Sequence, residues 1–224
     1  MAPITNAFSG IVITAQDFNA SILTETWLVS NSLVRADDLV GLRVFSEQFV
    51  QFQTKRFQLL LLPSKLQLTF SILGEDAKDD SPKEIAARVV ELLPHTPFRA
   101  LGLNFDFFTP CPEGVGMPEY TRALLGDGTF PLLRDFASTD ARFGRYMSKD
   151  FGEARLKLEV KPVHAGPSNE EMVQFSFNFH HSLDSIDAAE RAEGTATRIR
   201  TWPNLLQYAE ELVSRGSIVG GNGQ

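Results

Sequence analysis

Residues 98–108 read FRALGLNFDFF, and this stretch decides the fold. Leu101 and Leu103 alternate with Gly102 and Asn104, and the same alternation continues toward the end of the stretch. Successive side chains of a β-strand point to opposite faces of a sheet. The pattern therefore predicts a central strand with one apolar face. The small residues on its second face indicate close approach by a helix, or a pocket.

Other stretches alternate in the same way. Residues 57–61 and 65–72 are separated by a short Pro-Ser turn and predict a β-hairpin. Residues 154–160 and 173–179 predict a second antiparallel pair. Residues 42–53 fit neither a helical nor a strand period, and we interpret them as one strand because Phe and Val favour a pleated surface.

Two main helices are predicted by amphipathic spacing. Over residues 82–93, Ile85, Val89 and Leu92 recur at helical spacing and define one apolar face. Residues 203–215 carry a similar apolar face and are followed by a glycine, which commonly ends a helix. Shorter helices are predicted over 24–29 with Thr24 as the cap, over 118–125, and near 185–193.

Together these elements predict an α+β fold. We expect a mostly antiparallel sheet of about six to eight strands, with the helices 82–93 and 203–215 packed on one face. Strand runs with hairpin connections argue against an alternating parallel α/β fold. The length favours one domain over residues 1–224. The alternative is two lobes with a boundary near 110–140, where Pro and Gly are frequent.

Charge and cysteine content argue against several classes of function. The net charge is −7 without any block of Lys and Arg, so affinity for a phosphate backbone is not expected. The single cysteine, Cys111, allows no intrachain disulfide and is typical of a reducing compartment. No apolar run reaches the roughly 18 residues of a membrane span. We expect a soluble cytoplasmic protein without nucleic-acid or membrane partners.

The sequence His180-His181 followed by Asp184 is the one cluster that resembles a site. The alternation of the preceding strand places His181 on the Phe face and His180 on the polar face. This spacing matches no two-histidine metal motif, so no metal site is predicted. The alternative interpretation is that His181 caps the strand end and Asp184 begins the next helix.

Asp106 is a further candidate because it lies with Asn104 on the second face of an apolar strand. A buried carboxylate needs a partner or shifts its pKa. Arg99 or Arg145 could supply that partner, whereas exposure at a sheet edge would explain Asp106 equally well. Cys111 lacks the neighbours that lower a thiol pKa. No nucleotide-binding or hydrolase motif occurs, so no cofactor is predicted.

The first function hypothesis is a non-enzymatic binding or assembly protein. We expect it to form a homo-oligomer, or to bind another protein, through a sheet face or a sheet edge. If the sheet has a second apolar face, Leu60 and Leu62 together with Phe52 would leave a patch that a second subunit covers.

The second hypothesis is a small-molecule enzyme with its pocket under the irregular segment 109–140. Its acid and base would be His180 or His181 with Asp184 or Asp106. Convergence of His181 and Asp106 within hydrogen-bond reach in a deep pocket would favour this hypothesis over the first.

Overall fold

The computed structural model describes residues 4, 6–73, 81–126, 135–166, 169–184, 186–187 and 189–217. Its strands are β1 (Asn6–Ala15), β2 (Leu39–Phe45), β3 (Val50–Thr54), β4 (Gln58–Leu62), β5 (Lys65–Ser71), β6 (Phe98–Pro110), β7 (Arg145–Phe151), β8 (Ala154–Ala165) and β9 (Glu170–Ser182). Its helices are α1 (Glu25–Ser30), α2 (Ser81–Glu91), α3 (Met117–Leu125), α4 (Arg191–Arg200) and α5 (Trp202–Ser217).

All nine strands belong to one sheet, in the order β2-β3-β4-β5-β1-β6-β9-β8-β7. Every neighbouring pair is antiparallel. The central strands β1, β6 and β9 pair along most of their length, so the sheet is most continuous at its centre. The two edge strands are β2 and β7.

One face of the sheet, the helix-covered face, carries the core. Alternate residues of each central strand are fully buried there, as the sequence alternation predicts. Burial of each large apolar side chain contributes roughly 1.5–3 kcal/mol, so this face supplies most of the stabilisation. The buried set from the three central strands includes Ile11, Ile13, Leu101, Leu103, Phe105, Phe107, Phe175, Phe177 and Phe179.

Trp202 fixes α5 to the middle of this face. Its ring centroid lies 5.6 Å from that of Phe105 and 5.7 Å from that of Phe70. Its indole Nε1 donates a 2.8 Å hydrogen bond to the Ser9 hydroxyl, which in turn donates to the backbone oxygen of Asn104 at 3.0 Å. A buried hydrogen-bond donor without an acceptor lowers the stability of the fold. The bond from Trp202 to Ser9 therefore favours this one position of α5 on the sheet.

The helices α2 and α4 pack against each other beside α5. The Lys83 ammonium of α2 lies 5.4 Å from the Trp202 ring centroid, which joins α2 to α5. At the far end of the sheet, Met117 of α3 contacts the Cys111 thiol at 3.7 Å. Within the described ranges, buried apolar residues of all five α-helices belong to one core cluster with the buried strand residues of this face. The opposite side is the uncovered face.

The structure confirms the α+β class and the antiparallel sheet, with nine strands where about six to eight were expected. The two predicted main helices correspond to α2 and α5, within a few residues at each end. The short helix α1 also forms, and the Thr24 hydroxyl accepts a 3.1 Å bond from the Trp27 amide. Such a cap satisfies a backbone donor at the helix start.

The prediction of one strand over 42–53 is wrong. The segment contains a turn, and β2 and β3 on either side of it pair as a hairpin. The Ser46 hydroxyl closes this turn, since it donates to the Phe49 oxygen at 2.8 Å and accepts from the Phe49 amide at 3.1 Å. Serine bonds of this kind compete with a regular strand.

The helix predicted near 185–193 is displaced, because α4 begins at Arg191 and continues to Arg200. The strand β7 was not predicted. Of the irregular segment 109–140, residues 127–134 lie outside the described residues. The strands β6 and β7, which flank this segment, belong to the same sheet.

Candidate functional site

The uncovered face is polar across its centre, and its side chains lie in rows that cross the strands. Directly paired residues of antiparallel strands are neighbours on the same face, about 5 Å apart. One row, the amide row, is neutral apart from a single ammonium group. In strand order it consists of Thr69, Gly10, Asn104, Asn178, Lys157 and Ser148.

A second row, the acidic row, runs beside it. Between β1 and β7 it has an aromatic ring at each end and two carboxylates between them. In strand order it consists of Phe8, Asp106, Ser176, Glu159 and Tyr146. The two rings are exposed, Phe8 at 38% and Tyr146 at 62%, although both belong to regular strands.

The amide row is ordered by a directed chain of hydrogen bonds. Asn178 Nδ2 donates to Asn104 Oδ1 at 2.5 Å, and Asn104 Nδ2 donates to the Gly10 backbone oxygen at 3.1 Å. This chain fixes both amide planes. It leaves Asn178 Oδ1 as an acceptor without a hydrogen-bond partner among the described residues.

Asp106 is held by two neutral donors. Its Oδ1 accepts from Gln174 Nε2 at 3.1 Å and from the Ser176 hydroxyl at 2.5 Å. The second carboxylate oxygen, Oδ2, has no hydrogen bond or ion pair in the described part of the chain. The carboxylate is therefore oriented but still free to accept from a ligand.

Two glycines, Gly10 and Gly102, lie in the middle of the face, and a side chain at Gly102 would be the more crowded of the two. A Cβ on Gly102 would lie 3.2 Å from Asn178 Nδ2, closer than an ordinary contact. A Cβ on Gly10 would make only ordinary contacts, the nearest at 3.8 Å. The absence of a side chain at Gly102 therefore leaves space for the Asn104–Asn178 pair. At Gly10 no side chain projects from the uncovered face.

A cleft of about 520 Å³ lies over these rows. Its walls include Gln67 and Thr69 on one side and Tyr146 and Lys157 on the other. The Lys157 ammonium makes no hydrogen bond or ion pair with the described residues, whereas Glu159 is paired with Lys161 at 2.8 Å. Among the residues that the structure describes, the cleft thus contains one cation without an ion pair, Lys157, and one carboxylate without an ion pair, Asp106.

The candidate residues predicted from sequence do not converge. His180 lies on the uncovered face and His181 on the helix-covered face, as the alternation predicted. Asp106 is on the uncovered face and thus on the side of the sheet opposite His181. It pairs with Ser176, so at ~3.4 Å per residue it is about 14 Å along the strand from His180. Asp184 is exposed in the turn after β9.

His181 is buried to 6% exposure, and neither ring nitrogen has a hydrogen-bond partner among the described residues. Burial lowers the pKa of His181 to about 4, and the neighbouring Arg198 guanidinium acts in the same direction. The ring is therefore neutral at pH 7. The capping bond to the backbone, which was the alternative interpretation, is absent from the described contacts.

The charge partners considered for Asp106 do not contact it. Neither Arg99 nor Arg145 pairs with Asp106 within the described ranges. The strand β6 is central, so exposure at a sheet edge does not explain Asp106. Burial raises the pKa of the Cys111 thiol, and the Glu171 carboxylate adds to this effect. Cys111 is therefore a poor nucleophile at neutral pH.

The apolar patch expected from Leu60, Leu62 and Phe52 is divided between the two faces. Phe52 is buried on the helix-covered face, where its ring centroid lies 5.9 Å from that of Phe45. Leu60 and Leu62 are half-buried on the uncovered face. The three side chains therefore do not form one surface.

No group of three His, Cys, Asp or Glu side chains in the described part of the chain is placed to hold a metal ion. None of its described helices is both long and apolar enough to cross a bilayer. A scan of protein-family models and a search of curated protein sequences found no match to this chain.

Sequence reasoning missed most residues of the cleft. Asp106 was identified, but Asn178, Lys157 and Tyr146 were not, because they come from strands distant in sequence. Only the register of β6, β9, β8 and β7 brings them into adjoining rows. The available signal was the polar half of β6 and β9, where Asn104, Asp106, Gln174, Ser176 and Asn178 alternate with apolar residues that are mostly Phe.

Proposed function

We propose that this protein is a non-enzymatic binding and assembly protein that self-associates through the β7 edge of its sheet. The observation that carries the proposal is the regularity of β7. All seven of its residues pair in one register with β8, and β7 has no strand neighbour on its other side in the described sheet. An edge strand of this kind presents unpaired backbone groups to a second chain.

The other edge strand, β2, is less suited to pairing with a second chain. The strand β2 shifts register between Val40 and Val44, and Gly41 lies there with a φ of +64°. Leu42, in the same irregularity, is 86% exposed. Bulges of this type protect an edge against pairing, because they interrupt the backbone ladder. The contrast between the two edges favours β7 as the interface.

The sequence of β7 is compatible with pairing to its own copy about a two-fold axis at Ser148. Residues on one face must pair with residues on the same face, and this register uses the whole strand. It places Met147 opposite Lys149, Tyr146 opposite Asp150, and Arg145 opposite Phe151. No two like charges are directly opposite, which favours the register.

Neighbouring registers are less favourable. A shift of the axis to Met147 places Arg145 opposite Lys149, and a shift to Lys149 places the two copies of that lysine opposite each other. Like charges directly opposite on a sheet are destabilising. In the favoured register Lys149 is already held within its own chain, because its Nζ lies 2.7 Å from the Tyr208 hydroxyl.

A single pair of edge strands makes a small interface compared with the roughly 1,600 Å² of a standard complex. We therefore expect a dimer that forms as concentration rises, rather than a permanent one. The two-fold axis would be perpendicular to the sheet, so the uncovered faces of both copies would lie on the same side of one continuous sheet.

Variants at Met147 test both the interface and its register. Met147 is 41% exposed, so a charged side chain can be accommodated in the monomer. Met147→Lys introduces two like-charge contacts with Lys149 of the copies and should weaken the dimer about fivefold to thirtyfold. Met147→Glu introduces two opposite-charge contacts and should leave the dimer equal or tighter. Light scattering over a concentration series measures both.

The matched control is Leu42→Lys, which adds the same charge to the β2 edge and should not change the dimer. A wild-type protein that stays monomeric up to ~1 mM contradicts the proposal. Equal weakening by Met147→Lys and Leu42→Lys contradicts the choice of edge. Weakening by both Met147 variants contradicts the register.

A further inference from the structure

We propose that the cleft on the uncovered face binds a neutral oligosaccharide. The inference does not require self-association, because the cleft is formed within one chain. It is based on the free polar atoms, the two exposed rings and the balance of charge along the amide row and the acidic row.

The free polar atoms require a ligand that can both donate and accept hydrogen bonds. Asp106 Oδ2 and Asn178 Oδ1 are acceptors without partners among the described residues. The Lys157 ammonium can only donate. A hydroxyl group does both, so a chain of vicinal hydroxyls matches this set. An ammonium or carboxylate ligand would satisfy one side and be repelled by the other.

Charge argues for a ligand that is neutral overall. Of the charged groups that line the cleft, Glu159 is paired with Lys161, while Asp106 and Lys157 have opposite signs and no ion-pair partner in the described part of the chain. A phosphate-bearing ligand would need several cations to compensate it. The cleft provides one.

The rings of Phe8 and Tyr146 supply the apolar contacts. They stand at the two ends of the acidic row, four strand spacings apart, which is about 19 Å at ~4.8 Å per spacing. Both rings line the cleft. Exposed aromatic faces provide flat apolar surface beside polar groups, and the C–H face of a sugar ring can stack on them. The spacing fits an oligosaccharide of a few units.

A peptide is less well matched to this surface. Peptides bind sheets chiefly by adding a strand at an edge, where backbone groups are free. The cleft lies over the paired centre of the sheet, where the backbone groups of β1, β6 and β9 already bond to one another. A peptide would therefore have only side-chain contacts there.

The experiment is a calorimetric and NMR titration of the full chain with four neutral probes: cellotetraose, maltotetraose, mannotetraose and tetra-N-acetylchitotetraose. At least one probe should bind saturably, with amide shifts confined to the strands that line the cleft, β5, β1, β6, β9, β8 and β7. Tetraglycine and inorganic phosphate serve as the comparison ligands and should not bind.

Two variants assign the binding to the cleft. Asp106→Asn keeps the side-chain shape, and Lys157→Met removes an ammonium that forms no ion pair with the described residues. Each should weaken the binding of that probe about tenfold, the effect of one charge-assisted hydrogen bond. The control is Asp37→Asn at an exposed carboxylate outside the cleft, which should not change affinity.

Three results would overturn the proposal. The first is the absence of binding by all four probes at ~5 mM. The second is unchanged affinity in both Asp106→Asn and Lys157→Met, whose folding is checked by near-ultraviolet circular dichroism. The third is binding of tetraglycine or phosphate in place of the sugars, which would assign the cleft to a peptide or an anion.

Discussion

His181 is the residue at which the structure and the pH of the solution are most closely linked. It lies in the core beneath α4, near the Arg198 guanidinium and the Glu153 carboxylate, and His180, which precedes it in β9, lies on the other face. Desolvation disfavours the charged ring, and Arg198 adds to that effect, while Glu153 opposes it. The folded protein therefore binds a proton at His181 only with difficulty.

The lowered pKa of His181 predicts that the folded protein loses stability in mild acid. The pKa of His181 falls from an ordinary 6.5 to about 4 in the folded state, so the unfolded chain binds the proton more tightly between these values. The stabilising effect is fully present above pH 6.5 and disappears as the pH falls toward 4. At ~1.4 kcal/mol per pKa unit, the free energy of unfolding should lose about 3 kcal/mol from this group.

Urea unfolding at a series of pH values measures the effect. His181→Leu should remove this part of the acid sensitivity. His95→Leu, at an exposed turn, should retain it. A His181→Leu variant with the same pH profile as the wild type would contradict the assignment.

At the scale of elements, the alternation of apolar and polar residues correctly predicted the strands that bury only one face. The strands β5, β6, β8 and β9 have one apolar and one polar face, so their period is visible in the sequence. The strand β7 has no such period. Five of its seven residues are exposed, because it lies at an edge and both of its faces meet solvent.

The helix α4 was misplaced for a related reason. It contains Gly194 and Thr195, which have low helix propensity, whereas the Ala- and Glu-rich residues before it are better helix formers. Packing decides its position instead. Ala192, Ala196 and Ile199 recur at helical spacing and are buried against the core.

We expect the backbone amides of the two edge strands, β7 and β2, to differ in how their hydrogen-exchange rates depend on protein concentration. Pairing of β7 with its copy would protect its outward amides, and this protection should increase with protein concentration. The amides of β2 should exchange at the same rate at all concentrations, because its register shift prevents pairing. Exchange followed by mass spectrometry at two concentrations compares the edges within one sample. Concentration-independent exchange of β7 would contradict its role as an interface.

At the scale of the whole molecule, the chain forms one sheet with a helical layer on one side and a polar cleft on the other. The sequence predicted the α+β fold class because the spacing of apolar and polar residues indicates which side chains face a core. It gave a pocket on the second face of β6 as one of two alternatives, but it did not predict which residues line the cleft, because the lining depends on register. Asp106 and Ser176 are far apart in the chain and become neighbours only when β6 pairs with β9.

Of the catalytic residues proposed from sequence, His180, His181 and Asp184 are close along the chain and Asp106 is not, and strand pairing does not bring the four together. His180 and His181 are adjacent in sequence and lie on opposite faces of the sheet. Asp106 accepts hydrogen bonds from Ser176 and Gln174 and contacts neither histidine in the described part of the chain. The acid–base pair expected from sequence therefore does not form there among the described residues.

Cross-linking through Ser148 tests the central claim most directly. In the proposed register the two copies of Ser148 face each other at about 5 Å between their Cα atoms, a separation that a disulfide spans. In a Cys111→Ser background, Ser148→Cys should form a disulfide-linked dimer under mild oxidation, and Leu42→Cys on the β2 edge should not. A Ser148→Cys chain that remains uncross-linked at concentrations where light scattering detects dimer would contradict pairing through β7.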